Sequence, residues 1–382
     1  MKILYLIRED FNEIVSPAYY ELIQELKNQG HKITVANLSG KFLDFKCIKI
    51  KQFKFIDYPF GFINRYLFGK AVFNSVNPEK FDLVLSSMAE TLFFLHKWKI
   101  PKTAVIHDNF SERAEFTPLI GNFIFKAGFI PVPTQLKFAV LIDSFFQKYS
   151  MKKADGLIFL NKEEKEKEEK NTKAKCVVIH NGIYPEKFTA DNSRINELKE
   201  KYGKKIVLFM ARIELQKNPF LFLEAAEKLR EKNCLFLMAG KGPLQKKVIN
   251  FIREKNLSDK VKFLGWVNEK EKILLLNSCS VYVLPSLFEP VSVSTLEAMA
   301  CKKPVIVSDT GGLKEIVDDS TGIKISSGSL DELVKAINFL LDNPKKADEL
   351  GLNGFNKIKK EFSWKTIAEQ YNNFFKGLIN EK

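Results

Sequence analysis

The residues best placed to do chemistry are two glutamates. Glu289 and Glu297 are separated by seven residues in the stretch PSLFEPVSVSTLEAMACKKPVIVSDTGG, residues 285–312. The first sits in a loop after an apolar run, Val281–Leu284, that reads as a strand. The second falls in the opening turns of the helix expected to follow. Two carboxylates and a helix N-terminus then meet at the carboxyl end of a strand, where open α/β sheets put their ligands. Loop amides and the helix dipole receive a polar ligand there. Carboxylates repel phosphate, so they suit hydroxyl groups. A ligand with both a diphosphate and many hydroxyls is a nucleotide-sugar.

The elements that must hold these groups alternate along the chain. Ile3–Ile7 is a continuous apolar run of the buried parallel type. A helix follows, with Ser16 as N-cap, Pro17 at its first position, Gly30 at its end, and Tyr19, Leu22, Ile23 and Leu26 on one face. Further strands are predicted at Ile33–Ala36, Leu83–Leu85, Thr103–Ile106, Leu157–Leu160 and Val177–Ile179. Lys162–Lys175 is a charge run and reads as a solvated helix and connector. His180-Asn181-Gly182 reads as a turn in which Gly182 supplies an unusual backbone angle. A second alternating unit follows, with strands at Ile206–Met210, Leu235–Met238, Val261–Leu264, Val281–Leu284 and Val305–Val307. Helices at Pro219–Glu231 and Leu244–Lys255 lie between them. Repeated alternation of this kind implies doubly wound parallel α/β sheets.

A chain of 382 residues is long for one core and suggests two domains. Its net charge of +14 favours anionic partners and is spread evenly: residues 1–185 carry 27 basic against 20 acidic side chains, the remainder 33 against 26. No recognised motif for nucleic acid accompanies this charge. The five cysteines are scattered without a Cys-x-x-Cys pair, which indicates neither a disulfide scaffold nor a zinc site and fits a reducing cytoplasm. No secretory signal and no apolar run of membrane-spanning length is visible.

The string Glu289-Pro290, Leu296-Glu297-Ala298, Pro304-Val305 and Gly311-Gly312 resembles the donor-site motif of retaining glycosyltransferases of family 4. Asn181-Gly182 and Phe188 resemble the segment that closes the family's first domain. Ala211-Arg212 through Lys217 resembles its G-R-x-x-x-x-K element. The resemblance covers essentially the whole chain. It implies the GT-B fold, two facing Rossmann-like domains: residues 1–185 on the acceptor side, 186–362 binding the nucleotide-sugar, and a C-terminal helix, 363–382, that packs back on the first domain. It assigns the donor diphosphate to Arg212 and Lys217, which suits the physics. Two fixed cations stabilise a leaving group whose negative charge grows as the glycosidic bond breaks.

By the same resemblance Glu297 binds ribose hydroxyls, Glu289 binds the donor sugar's hydroxyls, and the amides of Val291, Ser292 and Val293 line the diphosphate and sugar. Gly240 turns beside the donor, and Gly265-Trp266-Val267 resembles the segment bordering the base, where Trp266 reads as core packing or a lid ahead of base stacking. His107, at the end of the strand Thr103–Ile106, is a candidate for contacting donor or acceptor. The absence of any Asp-x-Asp motif agrees with side-chain cations in place of a metal, so no cofactor and no metal are expected. Val291 and Ser292 stand where the family usually has Phe and Gly, and Ser292 offers an additional hydroxyl contact. The first loop, Arg8–Ser16, lacks the family's Gly-Gly, leaving Asn12 or Ser16 to close over the ligand.

Aromatics at Phe60, Phe62, Tyr66, Phe68, Phe123, Phe125, Phe129 and Phe138, interleaved with Lys70, Lys126 and Lys137, read either as helix packing or as a basic face on an anionic membrane. The expected function is therefore metal-independent, retaining transfer of a sugar from an NDP-sugar to a glycan or lipid-linked acceptor, in the cytoplasm, at the inner face of the membrane if that face binds lipid. A nucleotide-sugar epimerase and a non-catalytic sugar- or nucleotide-binding protein are the alternatives, and nucleic acid is not an expected partner.

Overall fold

The structure, a computed structural model, describes residues 1–8, 17–52, 63–106, 134–202 and 205–381. The chain divides into two compact units: Met1–His180 with Ile367–Lys382, and Asn181–Thr366.

The first unit is built on a seven-stranded parallel sheet. Its strands are β1 (Lys2–Leu6), β2 (Lys32–Asn37), β3 (Lys46–Lys49), β4 (Leu83–Ser86), β5 (Lys102–Ile106), β6 (Gly156–Phe159) and β7 (Lys175–Val178). They lie in the order β3-β2-β1-β4-β5-β6-β7. The described helices between them are α1 (Pro17–Asn28), α2 (Ile63–Ser75), α3 (Thr134–Met151) and α4 (Lys162–Glu168). Leu4, Leu6, Val84, Ala104, Leu157 and Phe159 form its core with Phe68 and Val72 of α2.

The second unit repeats the plan with six strands: β8 (Lys205–Met210), β9 (Cys234–Ala239), β10 (Val261–Gly265), β11 (Val281–Leu284), β12 (Val305–Ser308) and β13 (Gly322–Ile325). Their order is β10-β9-β8-β11-β12-β13, all parallel. Its helices are α5 (Asn192–Tyr202), α6 (Pro219–Lys228), α7 (Gln245–Glu254), α8 (Glu269–Ser278), α9 (Val293–Ala300), α10 (Leu313–Ile316), α11 (Leu330–Asp342) and α12 (Pro344–Glu361). A last helix, α13 (Trp364–Asn380), begins in this unit and ends in the first, where Phe374 and Leu378 pack over Gly156 and Glu381 pairs with Lys175 at 2.5 Å.

Strands β8 and β11 are adjacent, and the strand order reverses between them. Loops leaving neighbouring strands at such a point diverge to opposite faces of the sheet and open a crevice at their carboxyl ends. The Arg212–Lys217 segment leaves β8, and the Glu289–Glu297 segment leaves β11. The fold therefore brings together two segments that are more than seventy residues apart in sequence.

The predicted strands all form, with ends moved by a residue or two. Two strands have no counterpart in the sequence reading, β3 (KCIK) and β13 (GIKI), and both lie at sheet edges. An edge strand buries less, so its apolar signal is short; β3 is half-exposed along its length. The charge run at Lys162–Lys175 is less solvated than its composition implies, because Glu164 and Glu168 of α4 are buried. Gly182 does not adopt a left-handed backbone. Its lack of a side chain serves close approach: a Cβ there would lie 2.5 Å from the Trp364 ring.

Helix α12 braces the end of α9. A Cβ on Gly351 would meet the carbonyl oxygen of Lys302 at 2.2 Å, and Lys302 follows α9 in a left-handed turn. In an open helix, Gly→Ala stabilises by about 1 kcal/mol. Here overpacking outweighs that gain, and we expect Gly351→Ala to destabilise the protein by about 1–3 kcal/mol in denaturant unfolding. An unchanged or raised midpoint contradicts this packing.

Candidate active site

After β8 the backbone turns at Ala211, and its path is set by the loop after β9. The Ile213 amide donates to the Lys241 carbonyl at 3.1 Å, the Leu244 amide donates to the Ile213 carbonyl at 3.0 Å, and the Gly240 amide donates to the Gly265 carbonyl at 2.7 Å. A Cβ on Gly240 would fall 1.9 Å from the Ala211 carbonyl oxygen, with φ at +141°. No other residue fits that approach and that backbone angle. The segment then makes a short 3-10 turn, Leu215–Lys217. Asn218 follows at φ +48°, and Pro219 opens α6.

The same turn is tied to the segment after β11. The Leu287 amide donates to the Gln216 carbonyl at 2.8 Å, and Gln216 Nε2 donates to the Phe288 carbonyl at 3.0 Å. These bonds set Lys217 against Glu289. Lys217 Nζ donates to Glu289 Oε2, and Ser286 Oγ donates to the same oxygen at 3.2 Å. The Glu289 carboxylate is only 3% exposed and Lys217 15%. Burial pushes the Glu289 carboxyl above its ordinary value; the Lys217 charge and the Ser286 hydroxyl oppose that rise without cancelling it. The Glu289 backbone is held by the Gly312 amide at 2.8 Å, and a Cβ on Gly311 would strike the Glu289 carbonyl oxygen.

Glu297 lies in the second turn of α9 and is paired in its turn. Lys272 Nζ of α8 donates to Glu297 Oε1 at 2.6 Å, lies 2.8 Å from Glu269 Oε2, and stands 5.6 Å from the Phe188 ring centroid. Burial alone lowers the Lys272 pKa, but Glu297 and Glu269 outweigh it and hold the ammonium above the ordinary lysine value. Tyr282 of β11 lies within the field of both carboxylates. Its buried hydroxyl donates to Ser294 Oγ at 2.7 Å and approaches the Met210 carbonyl at 3.2 Å, linking the end of β8 to the start of α9. Burial, and then the charges of Glu297 and Glu289, hold this phenol in its neutral form.

The remaining expected residues are placed as follows. Arg212 stands at the same loop, 72% exposed, with its guanidinium 3.0 Å from Glu214. Ser292 is the N-cap of α9: its hydroxyl accepts from the Thr295 amide at 3.2 Å and from the Thr295 hydroxyl at 2.8 Å. Both of these bonds use the Ser292 oxygen as acceptor. Val291 and Val293 are half-buried beside it, and the first-turn amides of α9 have no acceptor within the helix. Trp266 is 57% exposed, so it is not core packing; Lys241 Nζ lies 5.7 Å from its ring centroid. His107, Asn12 and Ser16 lie outside the described residues, as do Phe60, Phe62, Phe123, Phe125, Phe129 and Lys126. Lys272, Tyr282, Ser286 and Gln216 were not legible as site residues. Lys272 in particular sits in an alternating Glu-Lys run that reads as a solvated helix face.

The arrangement is two buried carboxylates, each balanced by a lysine, beneath an exposed arginine and a helix N-terminus at the switch point of a parallel sheet. Comparison with known proteins gives the family. Residues 17–187 match the model for Glycosyltransferase Family 4, and residues 191–357 match that for Glycosyl transferases group 1. The chain belongs to glycosyltransferase family 4. Among curated members it is 34% identical over 212 residues to alpha-maltose-1-phosphate synthase of Mycolicibacterium smegmatis, covering 50% of this chain and 54% of that protein. It is 31% identical over 253 residues to an Escherichia coli UDP-Gal:alpha-D-GlcNAc-diphosphoundecaprenol alpha-1,3-galactosyltransferase, covering 61% and 65%. The matched stretch thus spans between half and two thirds of these relatives.

Solved structures align along nearly the whole chain. Sucrose-phosphate synthase from Thermosynechococcus elongatus gives a TM-score of 0.80 at 18% identity, with all of both chains covered. HepE of Anabaena, solved with UDP and glucose, gives 0.77 at 17%, covering 98% and 99%. At that identity the likeness is one of fold, and the fold is GT-B.

The Lys272–Glu297 pair yields a test of this site's electrostatics. Removing one partner of a buried pair strands the other charge. Lys272→Met should cost about 3 kcal/mol in unfolding free energy, while Lys272→Met with Glu297→Gln should recover most of it. Additive losses in that double-mutant cycle would show that the two groups are not coupled.

Proposed function

We propose that this family 4 member is a retaining, metal-independent glycosyltransferase that moves a sugar from a UDP-sugar to a glycan or lipid-linked acceptor. The observation that carries the proposal is the Lys217–Glu289 pair at the switch point. A donor brings a diphosphate, which competes for the lysine, and sugar hydroxyls, which replace the lysine as donors to the carboxylate. The lysine keeps an anionic partner in the diphosphate, and the carboxylate exchanges its cation for hydrogen bonds from the sugar hydroxyls and Ser286, which favour its charged form. Arg212 joins Lys217 on the diphosphate, its exposed guanidinium leaving Glu214 for a ligand with two charged oxygens in one plane. Glu297 takes ribose hydroxyls. The two lysines already neutralise both carboxylates, which supports cationic side chains in the role a divalent metal plays elsewhere. The choice of UDP rests on HepE, solved with UDP and glucose, and on the name of the galactosyltransferase relative.

In this reading the bond from the anomeric carbon to the diphosphate oxygen breaks as the bond from that carbon to the acceptor oxygen forms on the same face. The departing diphosphate takes the acceptor proton, and Lys217, Arg212 and the α9 amides stabilise the charge that develops on it. No covalent nucleophile is required.

Membrane contact fits helix α3. Phe145, Phe146 and Tyr149 are 68%, 38% and 43% exposed on it, and Tyr66 and Phe93 lie edge-on against Phe146 and near Tyr149. Lys148, Lys152 and Lys153 flank them, Lys153 within 5.0 Å of the Tyr149 ring centroid. Exposed aromatics beside lysines suit the headgroup layer of an anionic membrane. By contrast, Phe68 of the same aromatic-rich region is core. No described helix is long and apolar enough to span a membrane.

In a screen of UDP-, GDP- and ADP-sugars by thermal shift, UDP-sugars should raise the melting temperature. With the best donor, Lys217→Ala should lower kcat/KM by about 10²–10³-fold. Glu289 must be ionised to accept sugar hydroxyls. Because its folded pKa is raised, the acid limb of kcat/KM should lie above the ordinary glutamate range, with activity lost as pH falls through it. Full activity in Lys217→Ala refutes the diphosphate assignment. The protein should also sediment with anionic liposomes at low salt, and Phe145→Ser with Phe146→Ser should abolish that; no sedimentation removes the membrane reading.

A further inference from the structure

The amino edge of the first sheet, opposite the edge at which parallel sheets bind their usual ligands, holds a cleft of about 740 Å³. Its rim is lysine. Lys2, Lys32 and Lys46 come from the starts of β1, β2 and β3, Lys27 from the last turn of α1, and Lys80 from the 3-10 turn before β4. All five are exposed, and none is in an ion pair among the described residues. Asp44 is the one acidic residue of the lining. Lys27 leans over the Phe45 ring at 5.1 Å.

The positions of these lysines carry a cost. Lys2 and Lys32 stand directly opposite each other in the β1–β2 register, and Lys46 pairs with Thr34, two residues further along β2. Like charges set opposite on adjacent strands destabilise a sheet, and a bound anion relieves the repulsion. Beneath the rim Ile33, Phe45 and Val76 are nearly buried, beside the buried ring of His31, and Ile48 and Phe81 are half-buried. A simple inorganic anion uses only the rim. The volume lies within the range of about 300–1,000 Å³ usual for organic ligands.

We propose that this cleft binds a phosphate-bearing amphiphile, with the phosphate among Lys32, Lys46 and Lys80 and the hydrocarbon arm on Phe45, Val76 and Phe81. The site belongs to the first unit alone and does not depend on the reading of the donor site in the second.

The test is isothermal titration calorimetry of the full chain with decyl phosphate below its micelle concentration. Inorganic phosphate is titrated in parallel, at low and at high salt. Decyl phosphate should bind at least about tenfold more tightly than inorganic phosphate, and its affinity should fall with salt. The triple variant Lys32→Gln, Lys46→Gln, Lys80→Gln changes only exposed side chains. It should keep the wild-type unfolding midpoint while weakening decyl phosphate by at least about tenfold. Phe81→Ser should weaken decyl phosphate and leave inorganic phosphate unchanged. Equal affinity for the two phosphates overturns the amphiphile assignment. Binding to the triple variant within about twofold of wild type, or no binding to wild type, overturns the site.

Discussion

A carboxylate buried in a protein must find a cation or lose its charge, and this constraint organises the second unit. Glu289 is almost wholly enclosed, and Lys217 and Ser286 keep its charge tolerable. The lysine reaches it only because the loop after β8 is bonded to the loop after β11 through Gln216, Leu287 and Phe288. The pair is therefore a structural clasp between the two loops. The second pair, Lys272 with Glu297, repeats the device one helix further on.

Close approaches of backbone to backbone make this possible. Gly240 admits the Ala211 carbonyl, Gly311 admits that of Glu289, and Gly312 admits that of Pro290. Each permits a loop to pass where a side chain would block it. The loops are thus rigid against one another although they leave different strands, and Tyr282 adds a buried polar tie between the same two segments. Ser292, in the position where family 4 usually has glycine, is turned inward to cap α9, so the substitution leaves the helix N-terminus in place.

The charge of the chain is not a uniform coat. Around the donor-site candidate every lysine named above has an acidic or aromatic neighbour. In the cleft at the amino edge of the first sheet the lining holds five lysines and one aspartate. A net charge alone cannot distinguish these cases, since it depends on how strands are ordered and which of their first residues lie side by side.

Much of this was legible without coordinates. Apolar runs of buried parallel strands, the proline and glycine punctuation, and the spacing of Glu289 and Glu297 specify alternating α/β units and two carboxylates beyond a strand's carboxyl end. These are local properties, carried by neighbouring residues. The two edge strands escaped because partial burial demands few apolar residues. Lys272 and Tyr282 escaped because one looks like a solvated helix charge and the other like ordinary core. Their roles arise from contacts across 25 residues in one case and across 72 in the other. The sequence by itself determined which groups have the right chemistry. Only the tertiary structure decided which of them meet, because the reversal of strand order between β8 and β11 sets the crevice where Lys217 finds Glu289.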